Sequence, residues 1–501
     1  MTLRLKTLKR CACVYMALPL LLFIGGWLRL PIALLSGAAV LTGLACAMKS
    51  AGREKRTLSV GRWELAALIL VVLLWTYLGG LNGLFYQSND WNWRNAVYHD
   101  LIDRAWPVIY PERGSALSYY IGFWLPPALL AKIAGVLGGA VWAWRVGRGA
   151  LWLWAALGLT ITILMLMLWA GADTKRRRAA VVMTFVLFSG LDIVGALLSG
   201  RLALVTAPET LHLEWWMPDG KQYSSITTCL YWVFNQSIVS WMAVMLFLCE
   251  EDERNYVFIA LACLCCGPLP CVGLAVCMVV RCGQRLWRAF RAGEGRRAMK
   301  AVFSAGNLIA LIGVVPLGLY YLSNMAVTHT AESALPLMTR LGNYFSARSF
   351  WAFFVLEAGV WLALLGWEHR REALLYGVTV SLLIIPFFHL GASEDFCMRV
   401  SIPGVTILAA WCARYFCTRP PVRAMSRTAR LRFAAAIAAF LIGAATPCME
   451  MYRGIYHAAT EGTVRLAQDG IGSIANLDDA GNFTAQDYEK SVFFAHLAAR
   501  R

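Results

Sequence analysis

Apolar runs of membrane-spanning length divide this chain, and they limit the folds open to it. A helix needs roughly 20 apolar residues to cross the hydrocarbon core of a bilayer. Runs of that kind lie at 13–29, 31–48, 64–84, 150–170, 179–199, 227–248, 301–322, 350–367, 372–390, 400–417 and 432–449. Inside hydrocarbon, only helices and closed barrels satisfy their own backbone groups. Runs this long predict helices. A further run, 256–280, carries Gly267-Pro268-Leu269-Pro270 at its centre. Glycine and proline break a helix, so this run predicts two short helices that turn inside the membrane and return. The expected fold is all-α, a polytopic transmembrane bundle of about thirteen spans.

Composition narrows the reading. Of 501 residues, 59% are hydrophobic and 15% charged, with a mean hydropathy of +0.58. That excludes an ordinary soluble enzyme. The net charge of +17 suits a nucleic-acid binder in size but not in placement. Of the 46 Lys and Arg residues, 28 fall in the short connections 4–10, 49–62, 175–178, 281–300, 370–371 and 414–432. Basic residues in short loops mark the cytoplasmic face and its anionic lipid. The expected partner is therefore the lipid bilayer, with no nucleic acid. The same rule places the N-terminus inside; the expected location is the plasma (inner) membrane. It puts 85–149, 200–226, 323–349, 391–399 and the tail 451–501 on the extracytoplasmic side. The stretch 117–142 is apolar enough to cross, but one crossing there would carry Lys175 and Arg178 outside. It is read as interfacial. The membrane domain is thus 1–450, with an N-terminal hairpin at 13–48, a first large outer loop at 85–149 and the re-entrant hairpin at 256–280. The basic N-terminus before an apolar run resembles a signal peptide, yet a second run follows at once, so an uncleaved hairpin is expected. The 15 cysteines match no zinc or haem spacing and read as small packing residues.

Chemistry concentrates in the outward loops. Asp90, Trp91, Trp93, Arg94, His99, Asp100 and Asp103 crowd one polar stretch after a span. Asn89 and Asp90 read as a cap on a surface helix over 91–104, with His99 and Asp103 on one face. Rings stack on the apolar faces of sugars, while carboxylates serve as bases or metal ligands. His212, Glu214, Trp215, Trp216 and Gln222 repeat the pattern before the next span. Asp192 lies within a span, where a charge is costly and marks a site or a helix–helix hydrogen bond. Asp395 and Arg399 head another span, where a guanidinium suits a lipid phosphate or snorkels to the interface. Lys132 and Arg145, with Arg148, are cations on the side that the charge rule disfavours. No phosphate-binding P-loop, HExxH, GxSxG or dinucleotide fingerprint appears in context.

In this order the residues resemble the GT-C superfamily, above all the branch of protein-O-mannosyltransferases and aminoarabinose transferases. The likeness runs over roughly 60–420. It rests on Asp90, then Trp106-Pro107-Val108-Ile109-Tyr110, Tyr119-Tyr120, Pro126-Pro127, Lys132, Gly135 and Arg145, with the Gly267-Pro268 turn beyond. The departures are Asn89 and Trp91 beside Asp90, the extra N-terminal hairpin, and a tail too short for a large outer sugar-recognition domain. The resemblance implies transfer of a sugar from a polyprenyl-phosphate donor to an extracytoplasmic glycan, lipid or protein acceptor. Asp90, Glu214 and His99 then stand as catalytic candidates. Trp91, Trp93, Arg94, Tyr119, Tyr120, Lys132, Arg145, Trp215, Trp216, Gln222, Asp395 and Arg399 stand as substrate-binding ones. No cofactor is demanded, with room left for a divalent metal. Whether Asp90 acts alone or with Glu214 is open at this level. The alternatives are a lipid-linked polysaccharide polymerase or ligase, and a transporter or flippase. The absence of paired interrupted spans tells against transport.

Overall fold

The apolar runs fold as helices that close their own backbone hydrogen bonds. The computed structural model describes residues 2–324, 347–388, 395–461, 472–477 and 480–500. Among them, nine helical stretches are long and apolar enough to span a membrane. They are Leu5–Trp27, Leu30–Ala51, Ala140–Ala170, Lys175–Leu198, Ile226–Cys249, Pro268–Arg291, Gly295–Leu322, Arg348–His369 and Arg427–Thr460. The protein is an all-α, multi-pass membrane bundle. Helices Arg62–Leu78 and Ile402–Thr418 have 17 residues each, about 26 Å at 1.5 Å per residue, and Ala373–Phe387 is shorter still. The outer loop at 323–349 and the start of the one at 391–399 lie largely outside the described residues.

Helix Ile226–Cys249 is the most enclosed of the nine, and Leu5–Trp27, Ala140–Ala170, Lys175–Leu198, Pro268–Arg291 and Arg427–Thr460 pack against it. Leu5–Trp27 and Leu30–Ala51 form the expected hairpin. A two-stranded clip, Thr2–Arg4 against Thr57–Ser59, closes its base. The stretch 256–280 breaks at Gly267, as its glycine and prolines require, into Tyr256–Leu264 and Pro268–Arg291. It also returns to the face it left, because Arg285 meets Glu253 at 3.2 Å. Its second arm is longer than expected, at 24 residues. The stretch 117–142 differs in detail. Residues Ser115–Leu117 are a strand, and helix Leu125–Gly138 has 14 residues, about 21 Å. A left-handed Gly139 (φ 81°) then turns the chain into Ala140–Ala170, which begins ten residues before the predicted span at 150.

The predicted span 179–199 is interrupted. Helix Lys175–Leu187 stops before Phe188, and a short helix resumes at Asp192–Leu198. The freed backbone groups find partners on a neighbouring helix. Trp361 Nε1 donates to the Ser189 carbonyl (2.8 Å), and the Leu191 amide donates to the Leu356 carbonyl (3.1 Å). Gly190 sits so close to Glu357 that a Cβ would collide with its carboxylate.

The loops sort to two ends. At one end the basic connections meet each other: Lys9 with Glu250 (3.2 Å), Arg178 with Glu64 (2.9 Å), Arg285 with Glu253. At the other end a three-stranded sheet joins Ile109–Tyr110, Ser115–Leu117 and the tail strand Thr484–Gln486. Arg29, at the tip of the N-terminal hairpin, donates to the Ala495 and Ala498 carbonyls and anchors that tail. The tail is thus a cap on this end.

Gly273 shows how tightly this end is set. A Cβ there would strike the Val400 carbonyl oxygen, a backbone atom next to Arg399. Gly273→Ala is expected to destabilise the fold by about 1–3 kcal/mol, the usual cost of overpacking. Thermal unfolding in detergent measures it, and an unchanged midpoint contradicts this packing.

Candidate functional site

At the capped end, three segments distant in sequence converge. Asp90 starts helix Trp91–Asp103 but does not cap it. Its carboxylate turns instead to Arg94, one helical turn on, at 2.9 Å. The Arg94 side chain is buried and the Asp90 side chain is 48% exposed, so the pair presents a carboxylate held from behind by a guanidinium. Tyr119 and Tyr120 lie ring on ring at 3.7 Å, with Phe483 of the tail against Tyr119. Arg399, on helix Asp395–Val400, donates to the Tyr120 hydroxyl and pairs with Asp395 at 2.8 Å. Gln222 joins through Nε2 to Met398 (3.2 Å), and its carbonyl accepts from Cys397.

The charges of these segments act on Arg399. Burial works against the Arg399 charge, but Asp395, Tyr120, Tyr119 and Asp90 outweigh it and hold the guanidinium more firmly charged than usual. Two buried guanidinium nitrogens, Arg94 Nη1 and Arg399 Nε, have no hydrogen-bond partner among the described residues. A buried N–H left unpaired costs free energy, so both donors are set to gain from an anionic oxygen.

Other predicted residues go elsewhere. Lys132 is not a free phosphate ligand, because its ammonium caps the carbonyls of Ile102 (2.9 Å) and Arg104 (2.7 Å) at a helix end and lies over Trp106. Trp91 is no open sugar platform, since it is 3% exposed and stacks on Phe234. Trp216 is equally buried and donates to Glu357 (2.9 Å). Trp215 remains exposed, edge-on to His212. Trp93 is half-buried on its helix. His99 pairs with Asp103 at 3.2 Å on the expected face, and its other neighbour is Trp144. Arg145 is exposed near the start of Ala140–Ala170, and no contact among the described residues joins it to Arg399.

Glu214 belongs to a second assembly, deeper in the bundle. Its Oε1 accepts from the Ser225 amide (2.7 Å), and its Oε2 has no partner among the described residues. Around it are Asp192, which accepts from Ser189 (2.9 Å) and Thr446 (2.7 Å), and His212, which is ion-paired with Glu450. Glu450 also accepts from Trp232 (3.0 Å) and Arg453 (3.1 Å). Glu357 completes the group through Trp216. Four enclosed carboxylates thus lie in this assembly, and among the described residues Glu450 is the one paired with its His and Arg. Sequence reading found Asp192 and Glu214 here and missed Glu357, Glu450 and Arg453. The signal was present, because each carboxylate stands in or beside an otherwise apolar run. Among the described residues, no three His, Cys, Asp or Glu gather as metal ligands.

Burial, with Asp192 close by, pushes the Glu214 carboxyl up to about 7 from its ordinary 4.5. A folded-state pKa above the unfolded one stabilises through the neutral form. That contribution is complete below about pH 4.5 and is lost as pH rises toward 7. Burial works against the charge of His212, but Glu450 and Glu214 together outweigh it and raise its pKa above 6.5, which extends the same trend upward. The thermal midpoint of the parent, relative to Glu214→Gln, should therefore fall between pH 4.5 and 7. A difference that is flat or rises across that window contradicts the assignment.

No family model, no curated protein and no solved structure matches this chain.

Proposed function

We propose that the protein is a GT-C-like glycosyltransferase of the plasma membrane, acting at its extracytoplasmic face on a polyprenyl-phosphate sugar donor. The observation that carries this reading is the Asp90–Arg94 pair and the Tyr120–Arg399–Asp395 cluster, both at the end away from the basic loops, with two buried guanidinium donors unspent. In the reaction, Asp90 takes the proton of an acceptor hydroxyl, whose oxygen attacks the anomeric carbon. The bond from that carbon to the phosphate oxygen breaks, and the lipid phosphate leaves with the electron pair. Arg399 and Arg94 hold the charge that gathers on it. Asp395 orients Arg399, and the Tyr119–Tyr120 pair offers rings to the sugar.

A planar fork matches a phosphate through two contacts, and an ammonium does not. Arg399→Lys, which keeps the charge, is expected to weaken donor binding by about tenfold or more. Titration of the detergent-solubilised protein with a polyprenyl-phosphate sugar measures this. Parent-like affinity would return Arg399 to the role of an interfacial anchor.

The buried carboxylates favour a second reading, a proton-coupled lipid or solute transporter. Asp192, Glu357 and Glu450 stand within spans, with Glu214 beside them, and ionisable groups so placed commonly serve proton relays. Substrate movement driven by a proton gradient and lost in Glu214→Gln would select it.

A further inference from the structure

The opposite end of the bundle holds a cavity that sugar transfer does not use. It measures about 360 Å³, within the range of roughly 300–1,000 Å³ typical of small-molecule sites. Three helix ends build it. Arg281, Gln284, Arg285 and Arg288 form one stripe along Pro268–Arg291, at spacings of three and four that share a helix face. Arg414 of Ile402–Thr418 and Trp169 of Ala140–Ala170 stand across from them. Glu372 is the one carboxylate in the wall, and His369 already engages it at 3.1 Å.

Arg281, Arg288 and Arg414 are positioned by neutral groups, and Arg285 alone of the four is ion-paired among the described residues. Arg281 donates to the Phe247 carbonyl (2.8 Å), and Arg288 to the Arg371 carbonyl (2.8 Å). Arg285 reaches the Glu250 carbonyl (3.1 Å) and meets the carboxylate of Glu253. Arg414 lies over the Trp169 ring at 5.0 Å. Backbone carbonyls orient a guanidinium but leave its charge in place. Basic residues that merely obey the charge rule spread over loops. Here four guanidiniums converge on one hollow, and Arg281 and Arg285 are half-buried.

We propose that this cavity binds a multiply charged phosphate group, in which oxygens bridge the Arg281–Arg285–Arg288 stripe and Arg414. Planar forks suit phosphate oxygens, and the two carboxylates near the stripe, Glu372 in the wall and Glu253 on Arg285, cannot balance four cations. The phosphate belongs either to an anionic lipid headgroup or to a soluble phosphate ester. This inference does not rest on the glycosyltransferase reading.

The test uses the full-length protein in phosphatidylcholine nanodiscs, followed by thermal unfolding. Inorganic diphosphate is titrated in one arm. In the other, phosphatidic acid, whose phosphomonoester can carry two charges, replaces part of the phosphatidylcholine. The expected result is a saturable rise in the midpoint. A rise with diphosphate identifies a soluble ligand, and a rise with phosphatidic acid alone identifies a lipid headgroup. The double variant Arg288→Gln/Arg414→Gln changes two exposed side chains and should weaken the response by about tenfold or more. Arg296→Gln/Arg297→Gln, exposed basic residues outside the cavity, should not. No rise in either arm, or an equal loss in both double variants, overturns the proposal.

Discussion

Asp90→Asn is expected to lower sugar transfer by about two to four orders of magnitude, the contribution of a general base. The fold should survive, because the Asp90 side chain is half exposed and its one ion pair is to Arg94. Donor binding should persist as well, since Arg399 keeps Asp395 and Tyr120. The amide still accepts a hydrogen bond from Arg94 but takes no proton from an incoming hydroxyl. Transfer in isolated membranes, at matched expression, is the measurement. Parent-like turnover would remove Asp90 from the mechanism and shift the role of base to Asp395, the other carboxylate of the site.

Glu450→Ala has the largest expected effect on stability. The Glu450 carboxylate is buried and holds His212, Trp232 and Arg453 together. Its removal leaves an imidazole and a guanidinium enclosed without their counter-charge, which typically costs about 3–5 kcal/mol. Adding His212→Leu should recover part of that loss, because partners in one network do not act additively. Unfolding in detergent gives both values. A cost under about 1 kcal/mol, typical of a surface pair, would mean that water reaches this cluster.

The helices were legible in the sequence because each apolar run must close its own hydrogen bonds in lipid. The break at Gly267 was legible for the same reason, since proline removes a donor. The break at 188–191 was not. It depends on Trp361 and Leu356, far along the chain, which accept the interruption from outside. The site was legible as a set of residue types. Arg399 and Tyr120 stand 279 positions apart, and no periodicity links them. Nor does the sequence tell which aromatic faces a cavity. Trp215 and Trp216 are adjacent, yet one is exposed and the other enclosed, since a single residue step turns the side chain to another side. Lys132 misled because a lysine near an interface serves a phosphate and a helix end equally well.

The central claim is that the capped end transfers sugar from a lipid phosphate. The most direct measurement reconstitutes the protein in sealed liposomes with polyprenyl-phosphate sugars and follows release of free polyprenyl phosphate. The account predicts release that starts when donor and acceptor reach the face bearing Asp90 and Arg399, and that Asp90→Asn abolishes. Release that requires the face bearing Arg281 and Arg414, or no release from any donor at either face, would contradict it.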